Sequence, residues 1–542
     1  MEHKRIISGI AAAVLTLSGM GVISYAEGNE ADKTPVIETV VLNDGDVNGD
    51  EDEVDYDFVY GDFQCYIYED GTSVDIMMYT GTAASVSIPA TVTYEGQTMN
   101  VVSVSGAFMG NTTVTNVTIP NGVTTIGDSA FMDCTALTSV TLPSTLREIG
   151  YCTFSGCTKL ASLTVPGSVQ TIGDYAFENC TALQSINLSG AKEIGDSAFS
   201  GCTKLKTVTM PASATKIATE AFSGCTALEN ITIPSGITRI ENGTFSNCTS
   251  LKSAAIPGTV TDIDENAFYN CKAMTSLTLG SKVKNIGANS FEKCSALTSV
   301  DIPNATQSIG KEAFSGCTKL AAVKLGNGIM NVGENAFKGT SWLNTKKTQG
   351  TYVIENNVLI DGTKATGAVN IPDTVTCIAG GAFRDCTGIT SVTFPASVVS
   401  VGENAFLNCT AMKSVTIPAT VDNIGAMAFG YNFHVGEEDE YIKVENFKIS
   451  CYTGSEAELY AQDNDFETII LGVAVIFGDL DRSGGKPNMF DLGLLQQYLC
   501  KWDVQIDKKA ADVNRDGVID FYDLGLLQQY LCNWDVTLGK KA

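Results

Sequence analysis

Apolar and polar positions repeat along residues 107–435 with a period of 23 residues, kept nearly throughout. Each repeat holds one phenylalanine, and most repeats hold an apolar residue before a proline, as in Leu142-Pro143. The phenylalanines are Phe108, Phe131, Phe154, Phe177, Phe199, Phe222, Phe245, Phe268, Phe291, Phe314, Phe337, Phe383, Phe406 and Phe429. Because coils this short bury apolar faces only by stacking, the pattern predicts a solenoid. An end coil, that of Phe108, is expected to have one stacking neighbour.

Each coil is predicted to contain one short strand. Val140 and Leu142 fall on one face of it, and Ser139 and Thr141 fall on the other. Pro143 ends the strand because proline cannot donate a hydrogen bond to the ladder. The segment 127–131 predicts one short helical turn that places its phenylalanine inward.

The sequence predicts the following division of the chain. It has a signal peptide at 1–26, an acidic linker at 27–57, an N-terminal β-rich cap with the first coil at 58–106, repeats at 107–435 with an irregular coil at 338–371, a C-terminal cap at 436–472 and a last module at 478–536. Asp70-Gly71 and Asn356-Asn357 indicate hairpin turns. In the C-terminal cap we expect a strand near 449–452, a helix from Ser455 to about Asn464, and a strand at 466–471.

The repeat phrase resembles the BspA-like class of leucine-rich repeats found in bacterial surface proteins. The resemblance covers about residues 85–435 and carries both the phenylalanine and most of the apolar-proline pairs. It implies a leucine-rich repeat solenoid of short parallel strands and short helical turns.

Eleven of the 17 cysteines stand three residues after a repeat phenylalanine. They are Cys134, Cys157, Cys180, Cys202, Cys225, Cys248, Cys271, Cys294, Cys317, Cys386 and Cys409. One interpretation is a disulfide chain or metal ladder, and the other is a column of buried thiols. Parallel side chains do not readily supply the disulfide dihedral angle, which favours buried, reduced thiols.

The strand face opposite the core forms a hydroxyl stripe. It consists of Ser139, Thr141, Ser162, Thr164, Ser185, Asn187, Thr207, Thr209, Asn230, Thr232, Ser276, Thr278, Ser391, Thr393, Ser414 and Thr416, to which Asp301 and Lys324 add charge. A glycoside hydrolase needs two carboxylates flanking a cleft, and no such pair recurs here. The three tryptophans, Trp342, Trp502 and Trp534, lie off the stripe.

Charge and composition narrow the function further. The formal net charge of −27 argues against nucleic acid as a partner. His3 falls in the predicted signal peptide, which leaves His434 as the one mature histidine and little room for histidine chemistry. A retained membrane anchor is the alternative for 1–26, although the apolar run is short for a span, and no membrane span is expected in the mature protein. Within the acidic linker, Asp44 to Asp50 mimics the start of a calcium loop, but Glu51 stands where such a loop needs glycine.

The last 65 residues contain a duplication of period 32, in which 491–500 recurs unchanged as 523–532. An acidic loop precedes each copy, and oxygen-bearing side chains at its first, third, fifth, ninth and last positions are typical of calcium loops. The predicted ligands for two Ca²⁺ ions are Asp479, Asp481, Ser483, Asn488 and Asp491 in the first loop, and Asp512, Asn514, Asp516, Val518, Asp520 and Asp523 in the second. The first loop is one residue longer, so either Gly485 or Lys486 is the carbonyl ligand.

This duplicated module resembles a dockerin, a small all-α, paired EF-hand-like domain that attaches secreted proteins to cohesin-bearing cellulosome scaffolds. The resemblance implies that the following residues contact cohesin: Met489, Phe490, Gln496, Gln497, Lys501, Phe521, Tyr522, Gln528, Gln529 and Asn533. The alternative is that Met489, Phe490, Phe521 and Tyr522 belong to the core. Cys500 and Cys532 are expected to pack rather than to pair.

The sequence therefore predicts a secreted, non-catalytic binding or adhesion protein, attached to a cohesin-bearing scaffold through a calcium-dependent dockerin. The ligand of the repeats is an unidentified protein or glycan. One alternative is an enzyme or enzyme accessory of plant polysaccharide degradation, which the lack of a recognisable catalytic module disfavours. Another is a structural spacer.

Overall fold

The computed structural model describes residues 56–434, 440–473, 480, 487–501, 504–514, 518–532 and 538. The predicted signal peptide and nearly all of the predicted acidic linker lie outside these residues, as do Asp44 to Glu51. The chain divides into two units, Met1–Pro211 and Ala212–Ala542.

The first unit consists of short strands. They are β1 (Phe58–Tyr60), β2 (Phe63–Ile67), β3 (Ser73–Tyr79), β4 (Ser85–Ser87), β5 (Thr91–Tyr94), β6 (Gln97–Val104), β7 (Asn116–Thr118), β8 (Thr125–Ile126), β9 (Ser139–Thr141), β10 (Glu148–Ile149), β11 (Ser162–Leu163), β12 (Thr171–Ile172), β13 (Ser185–Asn187), β14 (Glu193–Ile194) and β15 (Thr207–Thr209). One sheet runs β1-β2-β3-β6-β8-β10-β12-β14, and two others run β4-β7-β9 and β11-β13-β15. The N-terminal pairs β1–β2, β2–β3 and β5–β6 are antiparallel, and the β2–β3 pair confirms the hairpin predicted at Asp70-Gly71. The coils then pair in parallel.

The second unit continues the pattern and ends in helices. Its strands are β16 (Lys216–Ile217), β17 (Arg239–Ile240), β18 (Ser253–Ala255), β19 (Asp262–Ile263), β20 (Ser276–Thr278), β21 (Asn285–Ile286), β22 (Ser299–Asp301), β23 (Ser308–Ile309), β24 (Ala322–Lys324), β25 (Asn331–Val332), β26 (Val353–Glu355), β27 (Val358–Asp361), β28 (Gly367–Asn370), β29 (Cys377–Ile378), β30 (Ile389–Thr393), β31 (Ser400–Val401), β32 (Ser414–Thr416), β33 (Asn423–Ile424), β34 (Tyr431–His434), β35 (Glu440–Lys443), β36 (Lys448–Thr453) and β37 (Glu467–Val473). Its helices are α1 (Ser341–Lys347), α2 (Glu456–Asp463), α3 (Met489–Leu499), α4 (Lys508–Ala511) and α5 (Phe521–Leu531). The parallel sheets include β17-β19-β21-β23-β25 and β29-β31-β33.

Most regular coils carry two strands where the sequence predicts one. The predicted strand is present at Ser139–Thr141, with Val140 buried and both hydroxyl residues exposed. The additional strand, Glu148–Ile149, pairs in parallel with Thr171–Ile172 one period on. A two-residue strand shows too little alternation to be recognised in the sequence.

The predicted helical turn at 127–131 is wrong. Ser129 has a φ of 56°, in the left-handed region that an α-helix does not use. The segment forms non-helical turns, and the Phe131 N–H donates to the carbonyl of Thr153 in the next coil, at 2.8 Å. Phe131 nevertheless points inward as predicted and stacks on Phe154, with the ring centroids 5.2 Å apart.

The cysteine column is buried, as predicted. Each thiol reaches back to the coil before it: Cys157 Sγ donates to the Phe131 carbonyl at 3.1 Å, and Cys248 Sγ to the Phe222 carbonyl at 3.2 Å. Burial raises the pKa of the Cys134 and Cys248 thiols to about 12, so these thiols are poorly reactive as nucleophiles. That these thiols stay reduced remains a prediction.

The irregular coil holds the predicted hairpin and an unpredicted helix. β26 and β27 pair antiparallel, and Asn356 and Asn357 both have positive φ, at 44° and 65°, as a type I′ turn requires. Helix α1 begins after Thr340, whose side chain accepts from the Leu343 N–H. Trp342 of this helix is buried with its ring edge against Phe337.

Coil stacking continues past this inserted segment. The Gly380 N–H donates to the Val332 carbonyl at 2.7 Å, although 48 residues separate them in sequence. Buried Glu334 accepts from Arg384 Nη1 at 2.6 Å and from Asn404 Nδ2 at 2.8 Å. These bonds join coils on either side of the insertion.

The C-terminal cap has the predicted strand-helix-strand order, formed by β36, α2 and β37. Ser455 caps the helix by accepting from the Glu458 N–H, but the Glu458 carboxylate accepts from Gly454 rather than from Ser455. The Tyr460 hydroxyl donates to the Phe429 carbonyl at 2.9 Å. These contacts cover the last phenylalanine of the array.

Candidate functional site

Helices α3 and α5 have nearly the same sequence and share a small core. Four residues of this core are fully buried, and all four are small or aliphatic: Leu480, Leu495, Ala511 and Leu527. The predicted leucine stripe packs around them, with Leu492, Leu499, Leu524 and Leu531 partly buried. Spacing of three and four residues puts these leucines on one face of each helix.

Each helix buries an aspartate in its first turn. Asp491 accepts from the backbone N–H groups of Leu480, at 2.8 Å, and Asn488, at 2.9 Å. Asp523 accepts in the same way from Asn514, at 3.3 Å, and Asp520, at 2.9 Å. The two halves thus turn their last predicted ligand inward in matching geometry.

The second loop brings several predicted ligands together around Asp523. Burial raises the pKa of the Asp523 carboxyl, the N–H donors of Asp520 and Asn514 lower it, and the charge of Asp512 raises it again. Asn514 is also buried, whereas Asp520 and Val518 are exposed. Hard oxygen donors of this kind, with buried carboxylates, fit a calcium ion, which offsets carboxylate repulsion.

Four predicted ligands lie outside the described residues, namely Asp479, Asp481, Ser483 and Asp516. Within the part of the chain that is described, no group of three or more histidine, cysteine or acidic side chains is arranged to hold a metal. The full ligand set therefore stays a prediction.

Large apolar side chains stand exposed at the start of both helices. The exposed fractions are 69% for Met489, 67% for Phe521 and 61% for Tyr522. The alternative that these three residues are core is wrong. The side chain of Phe490 and all of Asn533 lie outside the described residues.

The polar residues predicted to contact cohesin lie further along the same helices. Gln496, Gln528 and Lys501 are exposed, and Gln497 and Gln529 are half-buried. Cys500 and Cys532 are exposed as well, so the prediction that they pack is wrong. The helix core is already filled by Leu495 and Leu527.

The hydroxyl stripe is present on the array, and all of its hydroxyl and amide residues are exposed. Neighbouring coils bond along it, as where the Ser139 hydroxyl donates to Asn116 Oδ1 at 2.6 Å. Asp301 and Lys324 form an exposed ion pair at 3.4 Å. The stripe thus offers many hydroxyls and little charge.

Family comparison identifies the array. The model of the BspA type leucine rich repeat region (6 copies) matches residues 104–229, 189–298, 215–344, 284–366 and 353–460, together more than half of the chain. The chain is a BspA-type leucine-rich repeat protein. A dockerin type I domain matches residues 478–532 of this repeat protein. Dockerins bind cohesins, and type I dockerins bind calcium.

Solved structures of bacterial repeat proteins are similar to this BspA-type protein. A leucine-rich repeat protein from Bacteroides ovatus ATCC 8483 is 25% identical, with 77% of this chain and 100% of that chain covered and a TM-score of 0.45. A leucine rich cell surface protein from Faecalibacterium prausnitzii A2-165 is 26% identical, with 68% and 94% covered and a TM-score of 0.39. The T. pallidum leucine rich repeat protein is 32% identical, with 35% and 88% covered and a TM-score of 0.32. No curated protein matches the chain.

Two further features of the BspA-type protein are the character of its described helices and a buried acid in its N-terminal sheet. None of the helices described has the length and apolar character needed to cross a membrane. Asp75 in the N-terminal sheet is a buried acid that, like Glu334, was not predicted from the sequence. Its only sequence signal is an aspartate inside an otherwise apolar strand, Ser73–Tyr79.

Proposed function

We propose that the protein is a secreted, non-catalytic binding or adhesion protein, held on a cohesin-bearing scaffold by its calcium-dependent dockerin. The dockerin supplies attachment, and the repeats present a binding surface to a protein or glycan. The observation that carries the proposal is the exposure of Met489, Phe521 and Tyr522 on helices whose leucines are already buried. Exposed large apolar side chains beside a filled core are typical of interaction sites.

Two calcium ions are proposed, one for each loop. Asp491 and Asn488 would hold the first, with Asp479, Asp481 and Ser483. Asp512, Asn514 and Asp523 would hold the second, with Asp516, Asp520 and the carbonyl of Val518. A bound ion offsets the repulsion between these carboxylates, so its binding free energy also stabilises the loops.

Cohesin binding in two orientations follows from the duplication. Gln496 and Gln528 stand at matching positions of α3 and α5, and both are exposed. Rotation by about half a turn would place either helix against the same cohesin surface. Phe521 and Tyr522 of α5 differ from Met489 and Phe490 of α3, and this difference would favour one of the two orientations of cohesin binding over the other.

A non-catalytic role is supported by the chemistry of the array. The hydroxyl stripe carries one exposed acid, Asp301, paired to Lys324. Its other side chains are hydroxyls and amides, which bind but do not supply the paired carboxylates of a glycosidase.

The attachment is tested by measuring cohesin binding to the full chain by surface plasmon resonance. Alanine at Met489, Gln496, Phe521, Tyr522 and Gln528 together should abolish binding, because both contact surfaces are removed. The matched control carries alanine at Thr207 and Thr209, which are exposed on the hydroxyl stripe. Unchanged binding by the helix variant, or an equal loss in the control, would contradict the proposal.

The non-catalytic role has its own measurement. Incubation of the protein with xylan or cellulose should release no reducing sugar above a boiled sample. Release that disappears on changing one pair of carboxylates would establish an enzyme instead.

A further inference from the structure

Exposed tyrosines gather on the outer face of the N-terminal sheet. Tyr66 and Tyr68, at the end of β2, are 41% and 36% exposed, and their rings meet edge to face with centroids 5.9 Å apart. Aromatic rings in water present flat apolar faces that bind matching apolar surfaces.

A buried carboxylate lies beside these rings. Asp75 pairs directly with Tyr66 on one side and with Ser103 on the other, so the three side chains share one face of the sheet. Asp75 is only 6% exposed, and its buried Oδ1 accepts no hydrogen bond within the protein. Burial raises the pKa of the Asp75 carboxyl to about 6, and the hydroxyls of Ser105, Ser103 and Tyr68 oppose that rise.

This arrangement is specific to the cap. In the coils that follow, the same row of the sheet holds Thr125 and then Glu148, neither of which is buried. Among the described residues, Asp75 is the one acid with a buried oxygen that lacks a hydrogen-bond partner. An unpaired buried polar atom is costly, so the carboxylate favours orientations of the Ser103, Ser105 and Tyr68 hydroxyls that point toward it.

The charges around Tyr66 and Tyr68 restrict which class of ligand can bind there. No lysine or arginine occurs between Lys33 and Arg147, so this segment supplies no basic side chain to pair with a uronate, sulfate or phosphate group. Asp57, Glu69 and Asp70 add negative charge close to the rings in sequence. An anionic ligand is therefore repelled. A neutral ligand that offers hydroxyl donors at its edge and C–H groups on its face meets both demands.

We propose that the N-terminal cap is a binding site for a neutral glycan. One pyranose ring packs its C–H face against Tyr66 and Tyr68, and its hydroxyls bond to the partly exposed hydroxyls of Tyr68 and Ser105. Asp75 acts as a positioning residue, because it orients the Ser103, Ser105 and Tyr68 hydroxyls. This inference names a ligand class for the binding role proposed above, rests on that role, and requires nothing of the dockerin.

Isothermal titration of the full chain with cellohexaose, xylohexaose, mannohexaose and an oligogalacturonate tests the site. We expect a neutral hexasaccharide to bind and the acidic one not to bind. Tyr66→Ala should weaken binding about tenfold, since one aromatic contact is lost. Tyr68→Phe keeps the ring and removes the hydroxyl, and should weaken binding less. The matched control is Tyr151→Ala, another exposed tyrosine of the first unit, which should bind as the unchanged protein does.

The other outcomes distinguish failure of the glycan site from failure of the proposed cohesin attachment. If none of the neutral hexasaccharides binds while cohesin binding is intact, the glycan site is wrong and the attachment stands. If cohesin binding fails while glycan binding follows Tyr66, the attachment alone is wrong. Equal binding of the oligogalacturonate would exclude the neutral class, and equal weakening by Tyr151→Ala would exclude this location. Tyr66 and Tyr68 are exposed, and unchanged melting curves verify that their variants fold.

Discussion

The repeat array and the dockerin are both built from duplicated sequence, but they obtain stability differently. In the array the coils bury a phenylalanine and aliphatic side chains, most of them bury a cysteine as well, and phenylalanine rings stack from coil to coil, as Phe268 does on Phe291. In the dockerin two copies share four fully buried side chains and enclose the carboxylates of Asp491 and Asp523. In the array, each added repeat extends one apolar core along the axis of stacking. In the dockerin, the two repeats form one small core that also encloses carboxylates. We therefore expect the array to fold without an ion and the dockerin to require one.

Calcium removal should produce the largest difference between the two regions. Excess EGTA is expected to abolish cohesin binding by the full chain, because the loops around Asp491 and Asp523 lose the ion that offsets carboxylate repulsion. Surface plasmon resonance with and without the chelator measures this loss. Adding calcium back in excess should restore binding.

The array supplies the internal control for that experiment. Its main thermal transition, followed by circular dichroism, should be the same in EGTA and in calcium. Undiminished cohesin binding in the chelator would refute the calcium dependence, and collapse of the array transition would refute the contrast between the regions.

Removing one stacked ring from the array should have the next largest effect. Phe245→Ala deletes a fully buried ring that stacks on Phe222 and Phe268, at 5.7 and 5.2 Å, and should cost about 3 to 5 kcal/mol of unfolding free energy. Urea titration of the full chain measures it, with Tyr151→Ala as the exposed aromatic control.

The first phenylalanine refines this prediction. Phe108 was expected to have one stacking neighbour, but it contacts both Phe131, at 5.1 Å, and Tyr79 of the N-terminal sheet, at 5.2 Å. Phe108→Ala should therefore cost nearly as much as Phe245→Ala. A loss at Phe108 below half of that at Phe245 would show that the cap does not act as a coil.

Sequence reasoning succeeded where one pattern fixed both position and burial. The phenylalanine of Phe245 recurs in every repeat and the cysteine of Cys248 in most, so their inward orientation follows from the period alone. The second strand at 148–149 has only two residues, and the left-handed turn at Ser129 leaves no periodic signal, so neither was predicted. Burial of Asp75 depends on Ser103 and Ser105, which are far along the chain. The exposed Cys500 and Cys532 were mispredicted because apolar character alone does not show that Leu495 and Leu527 already fill the core.

The buried ion pair across the insertion should have a moderate effect. Glu334→Ala removes the carboxylate that binds Arg384 and Asn404 and leaves both without this partner, so we expect a loss of about 3 kcal/mol. The control is Asp301→Ala, which breaks an exposed pair with Lys324 and should change stability by less than about 1 kcal/mol. Equal effects of the two variants in urea titration would mean that Glu334 does not join the coils across the inserted segment.

The smallest effect should come from changing one half of the dockerin surface. Alanine at Phe521, Tyr522 and Gln528 removes the contacts of α5 but leaves Met489 and Gln496 exposed on α3. If cohesin binds in two orientations, the remaining half still binds, and the affinity should fall by less than about tenfold, or 1.4 kcal/mol. The reciprocal variant, with alanine at Met489 and Gln496, should fall by a similar or smaller amount because α3 lacks the phenylalanine-tyrosine pair. Neither variant touches the buried leucines, so helix content measured by circular dichroism should be unchanged. Complete loss of binding from one half alone, with the helices intact, would leave a single orientation. The duplication would then serve the fold and its ions rather than recognition, and the dockerin would resemble the array in using repetition only to build a core.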